Sequence, residues 1–330
     1  MCIKRIANSA AGAAKLVAIA LATGLLAAGF AASAESGVMP QPLVAGTAHD
    51  ALFAVATQGS VAIAVGAGGT IVESGDAGQS WNKVIQTQTS LALLGVAVAH
   101  GHAIAVGQQG TVLVMDDAGH WVKAVSGTDA RLLGIAVNAS GLAVAVGGFG
   151  TVIKSVDGGT TWASIAPDWT AFTEVGLQPH LYGVSLDETG AITVAGEFGL
   201  ILRSNDGGVR WRQLHKGDAS LFALDLHDPK VGFAVGQSGT VLRTVDRGAT
   251  WTAMASGSKA ILLGVRVTGD GRVVITGMRD MLESKDDGES WSHIASGEAT
   301  TSWYQGVGNA VGSTSIFAVG HSGQIVRVGS

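Results

Sequence analysis

The sequence predicts an all-β fold, a seven-bladed β-propeller made of four-stranded antiparallel blades. Three observations predict it: a phrase that recurs along the chain, 49 glycines in 330 residues, and short apolar runs between the glycines. The phrase reads GTVIKSVDGGTTW at 150–162. Glycine-rich turns between short Val, Ile and Ala runs are typical of β-structure. The tryptophans that close the phrase recur every 40 to 49 residues, at Trp81, Trp121, Trp162, Trp211, Trp251 and Trp291.

Each repeat carries two apolar segments ahead of the phrase. LLGVAV at 93–98 and AIAVG at 103–107 represent the two types, which we name strands A and B. The start of the phrase supplies strand C, and the residues from the tryptophan onward supply strand D. Four short strands in about 40 residues predict one propeller blade per repeat.

Six repeats end in the phrase, and a seventh blade is divided between two distant segments. Segments at 304–310, 315–320 and 323–328 match strands A, B and C, and no strand D follows them. Residues near 38–45 match a strand D that has no blade of its own. We expect this N-terminal strand to close the last blade, because closure removes an open sheet edge that would otherwise pair with other chains.

The N-terminal segment 1–34 is predicted to be a secretory signal peptide, and 35–330 a single propeller domain. The segment begins with basic residues, continues as an almost uncharged apolar run at 16–32, and ends in the small residues of 32–34. A membrane anchor is the alternative interpretation. We expect a mature protein that is exported to the periplasm or an equivalent extracytoplasmic compartment, has no transmembrane segment, and is a monomer.

Charge and cysteine usage exclude several classes of function. The formal net charge of −5 becomes −8 when Lys4, Arg5 and Lys15 leave with the signal peptide. We therefore expect no nucleic-acid binding, which needs a surplus of Lys and Arg. Cys2 is the only cysteine and lies in the same segment, so the mature chain has no thiol for a disulfide or a thiolate metal site. The histidines are scattered over several blades, and we expect no metal and no cofactor.

The recurring phrase is an Asp-box, S-x-D-x-G-x-T-W, and each of its residues has a local structural task. A short carboxylate at the C–D hairpin accepts hydrogen bonds from turn N–H groups. The glycine permits positive φ, and the tryptophan buries a large apolar face. Because the aspartates hold identical positions in different blades, they do not converge on one substrate, and we interpret them as structural rather than catalytic. They are Asp76, Asp117, Asp157, Asp206, Asp246 and Asp286.

The Asp-box phrase, combined with strands that end in Ala-Val-Gly, resembles the photosystem II stability/assembly factor-like family. The resemblance covers residues 38–330 and implies an exported seven-bladed propeller with BNR/Asp-box repeats. It also implies a role as an assembly or stability factor for a membrane or envelope protein complex. Similar proteins occur in organisms without photosystems, so the resemblance does not fix the client.

The resemblance further implies a positive patch, formed by a basic residue just before the Ser or Thr of the phrase. We call these residues the basic arc and expect them to bind an acidic loop of a partner. Pairing of each cation with a neighbouring acid is the alternative. Blades 1, 2 and 6 depart from the pattern with Glu73, Val114 and Glu283. The basic arc consists of Lys154, Arg203, Arg243 and Arg327.

A second candidate surface lies at the B–C turns, which emerge on the same face of a propeller as the D–A connections. We call this the B–C face. Aromatic, amide and charged residues at its variable tips favour a binding mouth around the axis, and packing of loops over the channel is the alternative. The candidate residues are Gln108, Phe149, Trp169, Glu197, Phe198, Gln237, Arg279, Trp303, Tyr304 and His321.

An enzyme is the rival class, because Asp-box propellers include sialidases and other glycosidases. Glycoside hydrolysis needs a pair of carboxyl groups at a defined separation, and Glu197 with Asp280 is the only pair that the B–C tips offer. The sequence therefore favours a non-catalytic scaffold or assembly factor. A carbohydrate-binding or sialidase-like propeller that uses the B–C face is the alternative.

Overall fold

Seven four-stranded antiparallel sheets follow one another along the chain. The protein's structure is a computed structural model that describes residues 41–85, 87–226, 228, 231–295, 297–309 and 315–329. The predicted signal peptide, residues 1–34, lies outside the described residues. The innermost strands of the seven sheets contact one another in a closed ring, the last against the first. The predicted seven-bladed β-propeller is confirmed.

The strands have the following bounds. Strand β1 is Gln41–Val44; blade 1 is β2 (Leu52–Gln58), β3 (Val61–Gly66), β4 (Ile71–Ser74) and β5 (Asn82–Lys83); blade 2 is β6 (Leu93–Ala99), β7 (His102–Gly107), β8 (Val112–Met115) and β9 (Trp121–Ala124); blade 3 is β10 (Leu132–Val137), β11 (Ala143–Gly147), β12 (Val152–Ser155) and β13 (Ala163–Ser164); blade 4 is β14 (Leu181–Leu186), β15 (Ile192–Gly196), β16 (Ile201–Ser204) and β17 (Arg212–His215); blade 5 is β18 (Leu221–Asp225), β19 (Gly232–Gly236), β20 (Val241–Thr244) and β21 (Thr252–Met254); blade 6 is β22 (Leu262–Val267), β23 (Val273–Gly277), β24 (Met281–Ser284) and β25 (Ser292–His293); blade 7 is β26 (Tyr304–Asn309), β27 (Ile316–Gly320) and β28 (Ile325–Val328).

Short 3-10 turns connect several of the strands. Four of them form the B–C tips of blades 1, 2, 4 and 5, and each ends in two consecutive residues with positive φ, of which the second is glycine. The others lie in the long connection between blades 3 and 4 and before blade 7. Their bounds are Ala67–Gly69, Gln108–Gly110, Trp169–Ala171, Glu174–Gly176, Glu197–Gly199, Gln237–Gly239 and Gly297–Thr300.

The N-terminal strand closes the last blade. Strand β1 pairs antiparallel with β28, with Gln41 opposite Arg327 and Val44 opposite Ile325. Pro42 is tolerated here because β1 is the outer strand of the sheet, where a residue without an N–H costs no pairing. Leu43 and Val44 pack against the cluster that contains Phe317. The sequence-based prediction of this closure is therefore confirmed.

Most of the core lies between the blades. Strand B is buried along nearly its whole length in every blade, as AVAVG of β11 shows. Its alternate side chains contact the two neighbouring blades, so that Val144 and Val146 of β11 belong to one cluster with Leu181 of blade 4. Strand B therefore reads as a continuous apolar run rather than as an alternating pattern, as expected for a strand that is covered on both faces.

Removing the closing strand should lower stability. A chain that begins after Val44 leaves the edge of β28 unpaired and uncovers the apolar cluster around Phe317. We expect a loss of more than about 2 kcal/mol, which corresponds to a fall in Tm of at least about 5 °C, and increased aggregation. Differential scanning calorimetry measures the change. A chain that begins at Val38 keeps β1 and serves as the matched control, and equal Tm values for the two chains would contradict the role of β1.

Candidate functional site

The B–C face of the propeller has an apolar mouth at its axis. The second residue of each strand A projects toward the axis near this face, and six of the seven are large and apolar. All seven are half-buried, so they keep part of their surface toward the channel. The cavity at this end of the channel has a volume of about 180 Å³, and a second cavity of about 310 Å³ follows deeper along the inner strands. We call this ring the channel mouth; it consists of Phe53, Leu94, Leu133, Tyr182, Phe222, Leu263 and Gln305.

Small residues directly after the channel mouth let the inner strands approach each other. A Cβ atom on Gly134 would lie 2.6 Å from the Tyr182 carbonyl oxygen, and one on Gly264 would lie 2.3 Å from that of Gln305. The close approach narrows the ring and holds the preceding large side chains around one axis. The mouth is therefore a fixed feature of the backbone rather than a chance cluster of side chains.

Aromatic contacts extend the channel mouth outward over blades 3 to 5. Phe222 meets Tyr182 edge-on at 4.9 Å between ring centroids, Tyr182 meets His180, and His180 lies 5.2 Å from Phe149. Phe149 is the most exposed member, at 69%. Across the axis, Phe53 stacks on Trp303 at 6.0 Å. The result is a concave aromatic surface of the kind that binds apolar groups.

Two tyrosines near the channel mouth have raised pKa values and stay protonated. Burial raises the pKa of Tyr182, and the negative charge of Glu197 raises it further. Burial and then the charge of Glu298 raise the pKa of Tyr304 to about 12. The Tyr304 hydroxyl donates to Gln324 Oε1 at 3.0 Å, so it acts as a neutral donor within the fold.

Two candidate residues of the B–C face are buried, contrary to the exposure that the sequence suggested. Trp169 is 5% exposed, packs in the cluster with Leu181 and Leu200, and donates its indole N–H to the Gly150 carbonyl at 3.2 Å. Tyr304 is 2% exposed because it occupies the first position of strand A, which faces the neighbouring blade. Each therefore supports the face from below and has little surface left for a ligand.

The remaining candidates of the B–C face divide into bracing and exposed residues. The side-chain oxygens of Gln108 and Gln237 accept hydrogen bonds from the N–H groups of Ala92 and Ser220, which directly precede strand A of the same blade. Glu197 accepts the His180 N–H at 2.8 Å, and His321 Nε2 lies 2.8 Å from Glu298 Oε2. Fully or partly exposed members of this face are Phe149, Phe198, Arg279 and Trp303.

Three cations of the basic arc bind the hairpin of the next blade. Lys154 Nζ donates to the Gly207 carbonyl at 2.7 Å, Arg203 Nη1 donates to the Arg247 carbonyl at 2.8 Å, and Arg243 pairs with Glu289 at 2.7 Å. The fourth cation, Arg327, lies 5.9 Å from the centre of the Phe317 ring. The arc thus links successive blades, and its binding of an external partner stays a prediction.

The Asp-box aspartates fix the C–D hairpins. Asp157 accepts the N–H and the hydroxyl of Thr161 at 2.9 and 2.6 Å, and the hydroxyl of Ser155 at 2.7 Å. These bonds, led by the Thr161 hydroxyl, lower its pKa from 3.8 to about 2. Hydrogen bonds of the same kind hold the pKa values of four other aspartates at about 2, namely Asp76, Asp206, Asp246 and Asp286.

Blade 2 departs from the pattern that the sequence suggested. Here Asp116, and not Asp117, accepts the turn N–H groups, from Ala118 at 3.0 Å and His120 at 2.8 Å. The phrase is one residue short in this blade, so the hairpin tightens and the acceptor position moves back by one residue. Asp117 is exposed and takes no part in these turn hydrogen bonds.

Two further features bear on function within the described part of the chain. In that part, no three or more His, Cys, Asp or Glu residues lie together in an arrangement that could bind a metal ion. None of its helices in those ranges has the length and apolar character needed to cross a membrane.

Comparison with known proteins identifies the fold. No family model and no curated protein matches the sequence. Among solved structures, YCF48 from Cyanidioschyzon merolae has a TM-score of 0.68 at 16% identity, covering 88% of this chain and 98% of its own. YCF48 bound to a D1 peptide has a TM-score of 0.68 at 15% identity, covering 88% and 95%. The WD40 repeats of RRP9 have a TM-score of 0.71 at only 9% identity, covering 88% and 98%. At these identities the likeness shows a shared propeller fold.

The channel mouth is the part of the site that the sequence analysis missed. Its signal was present in strand A, where a large apolar residue precedes a glycine or alanine, as in Leu133-Gly134 and Tyr182-Gly183. In a propeller the inner strand borders the axis, so alternate residues of this strand leave the core and face the channel.

We predict that the Asp-boxes make the protein sensitive to acid. Because the pKa of each of the five carboxyls is lower in the folded protein than in the unfolded chain, its stabilising effect is complete above about pH 3.8 and is lost toward pH 2. Tm measured against pH should therefore fall steeply in this range. Asp157→Asn should lower Tm at pH 7 and make its pH dependence shallower, and a slope equal to that of the wild type would contradict the assignment.

We also predict that the basic arc stabilises contacts between blades. Replacement of Lys154, Arg203 or Arg243 by Met should each cost about 1 kcal/mol, the usual net value for one intramolecular hydrogen bond, and lower Tm by about 2–4 °C. Arg210→Met is the matched control, because Arg210 is exposed and pairs with Asp206 inside its own turn. Variants that retain the wild-type Tm but lose a partner in cells would instead identify the arc as a docking surface.

Proposed function

We propose that this protein is a non-catalytic scaffold, an assembly or stability factor for a membrane or envelope protein complex. It holds an apolar segment of its client at the channel mouth. The observation that carries the proposal is the ring of large apolar side chains, from Phe53 to Leu263, that surrounds the axis with part of its surface open. Partly exposed aromatic residues in a concave setting are the usual anchors of protein recognition.

The size of the channel supports a peptide segment as the bound group. The cavity at the channel mouth, about 180 Å³, lies below the roughly 300–1,000 Å³ typical of small-molecule sites. One large apolar side chain of a client enters such a space, while the surrounding aromatic surface of Phe149 and Phe222 covers its neighbours. The structure of YCF48 with a D1 peptide supports the view that a propeller of this architecture holds a segment of another protein.

The described carboxylates support a non-enzymatic role. Glu197 and Asp280, the pair considered for glycoside hydrolysis, belong to blades 4 and 6, so that blade 5 separates them. Asp280 accepts the Ser258 hydroxyl at 2.6 Å and lies 2.8 Å from His293 Nδ1, and Glu197 accepts a backbone N–H. Both carboxylates therefore have structural hydrogen bonds. The ring contains a single amide, Gln305, which gives a sugar few polar partners.

Export to the periplasm or an equivalent compartment is part of the proposal. It is supported by the basic, apolar and small-residue sections of segment 1–34 and by the single cysteine within it. In that compartment the scaffold can reach the extracytoplasmic loops of a membrane complex. We propose that it acts there as a monomer, because the closing strand β1 completes the ring within one chain.

Photo-crosslinking in intact cells tests the function. A photoreactive phenylalanine analogue replaces Phe222 in the channel mouth, and the same analogue at Val209, an exposed residue of the blade 4 hairpin, is the matched control. We expect crosslinks from position 222 to a subunit of a membrane complex, and few from position 209. The recovered protein should begin at Glu35. Equal crosslinking at the two positions would contradict binding at the channel mouth. A thermal shift with glycans and no protein crosslink would favour the carbohydrate-binding alternative.

A further inference from the structure

We propose that a groove between blades 2 and 3 binds an extended peptide of a partner protein, in which apolar residues alternate with lysine or arginine. The groove is lined by strands β8 and β9 on one side and by the Asp-box hairpin of blade 3 on the other. It lies apart from the channel mouth. The inference rests on its own observations and does not depend on the proposed function.

The groove lies beside a blade that lacks the cation by which blades 3, 4 and 5 bind the next hairpin. In blade 3, Lys154 spans the gap to the Gly207 carbonyl of the next hairpin, and in blade 4 Arg203 spans the gap to the Arg247 carbonyl. The equivalent residue of blade 2 is Val114, which lies against Gly159 of the blade 3 hairpin, where an added Cβ would come within 3.0 Å of Val114 Cγ2. Its short apolar side chain has no group to donate to a hairpin carbonyl, and the groove beside it has a volume of about 850 Å³, within the range of ligand sites.

Apolar side chains give the groove a surface that favours binding. Val114, Met115 and Trp162 contribute to its lining. Val122 and Val125, which also line it, are 49% and 83% exposed. Strand D carries exposed or half-exposed polar residues in other blades, such as Arg212 and Gln213 of β17. The position of Val125 is also apolar and exposed in blade 1, as Ile85 at 95%, whereas the exposed Val122 distinguishes this blade. Together the two valines provide contact area for a partner.

Strand β9 offers a backbone edge to an extended peptide. It pairs with β8 at four positions, from Val112–Ala124 to Met115–Trp121, whereas the other described D strands pair at two or three. It is the outer strand of its sheet. Just past its end, Val125 forms an isolated parallel bridge with Thr161 of blade 3. A peptide strand can add to such an edge through main-chain hydrogen bonds.

The charges at the rim select a cationic partner. Asp116, Asp117 and Asp157 line the groove against one lysine, Lys123. Hydrogen bonds to backbone N–H groups lower the pKa of Asp116, so it is charged at neutral pH. Asp117 is freed from the turn by the shortened hairpin and presents an exposed carboxylate. A peptide with lysine or arginine between its apolar residues matches these carboxylates.

Two fluorescein-labelled heptapeptides test the proposal, one with alternating valine and lysine and one with alternating valine and glutamate. Fluorescence anisotropy with the full mature protein measures their binding. We expect the lysine peptide to bind at least about tenfold more tightly than the glutamate peptide. Val114→Lys should abolish binding, because it introduces the side chain that spans the gap in blade 3. Asp117→Asn should weaken binding about threefold.

Matched variants separate loss of the groove from loss of the fold. Val209→Lys adds the same charge on another hairpin, and Asp287→Asn neutralises the carboxylate that follows the capping Asp286 in blade 6; both should bind like the wild type. Val114→Lys should retain the wild-type Tm, since Lys154 is accommodated at the same position of blade 3. Equal binding of the two peptides, failure of the lysine peptide to bind, or unchanged binding by Val114→Lys would overturn the proposal. A wild-type dimer in sedimentation equilibrium that Val114→Lys dissociates would also overturn it, in favour of self-association.

Discussion

The closed ring depends on how closely the Asp-box hairpin of one blade approaches strand B of the blade before it. The box glycine sets this distance in blades 1, 3 and 6. Gly78 has φ of +80°, and a Cβ atom there would lie 2.3 Å from the Phe317 ring of blade 7. Gly288 faces Phe233 of blade 5 in the same way, at 2.5 Å. A side chain at these positions would push the neighbouring blades apart, and the added distances would prevent the first and last blades from meeting.

The other residues of the Asp-box serve this contact. The aspartate fixes the hairpin that carries the glycine, the tryptophan packs on the same aromatic ring of the preceding blade, and the cation of strand C binds the hairpin from the side. Trp81 meets Phe317 and Trp291 meets Phe233, both edge-on at 5.8 Å between ring centroids. The repetition of one phrase therefore reflects one interface that has to be formed repeatedly. This explains why the aspartates of the phrase each fix the hairpin of a separate blade.

The sequence predicts those parts of the molecule that are repeated, because the same pattern in several repeats supports one strand assignment for all of them. The number of blades, the positions of strands A to C and the closing strand β1 all follow from alignment of the repeats. Features that occur once have no such support. Trp169 lies in a long connection, and only the tertiary structure shows that its indole packs beneath the blade 3 turn. The exchange of Asp117 for Asp116 follows from a one-residue deletion, whose effect on the hairpin depends on geometry rather than on residue type.

The same distinction bears on where function lies in this fold. A repeated position serves the ring, as the partners of Lys154, Arg203 and Arg243 in blades 3 to 5 show, and it contributes to recognition only where the axis brings the copies together. Strand A satisfies this condition, because its second residues meet around one channel and form a single concave surface. A position that departs from the repeat can be released from the ring, as Asp117 is in blade 2, where Asp116 accepts the turn N–H groups instead. We therefore expect recognition at the channel mouth, where the copies of strand A meet, and at blade 2, whose Asp-box departs from the repeat.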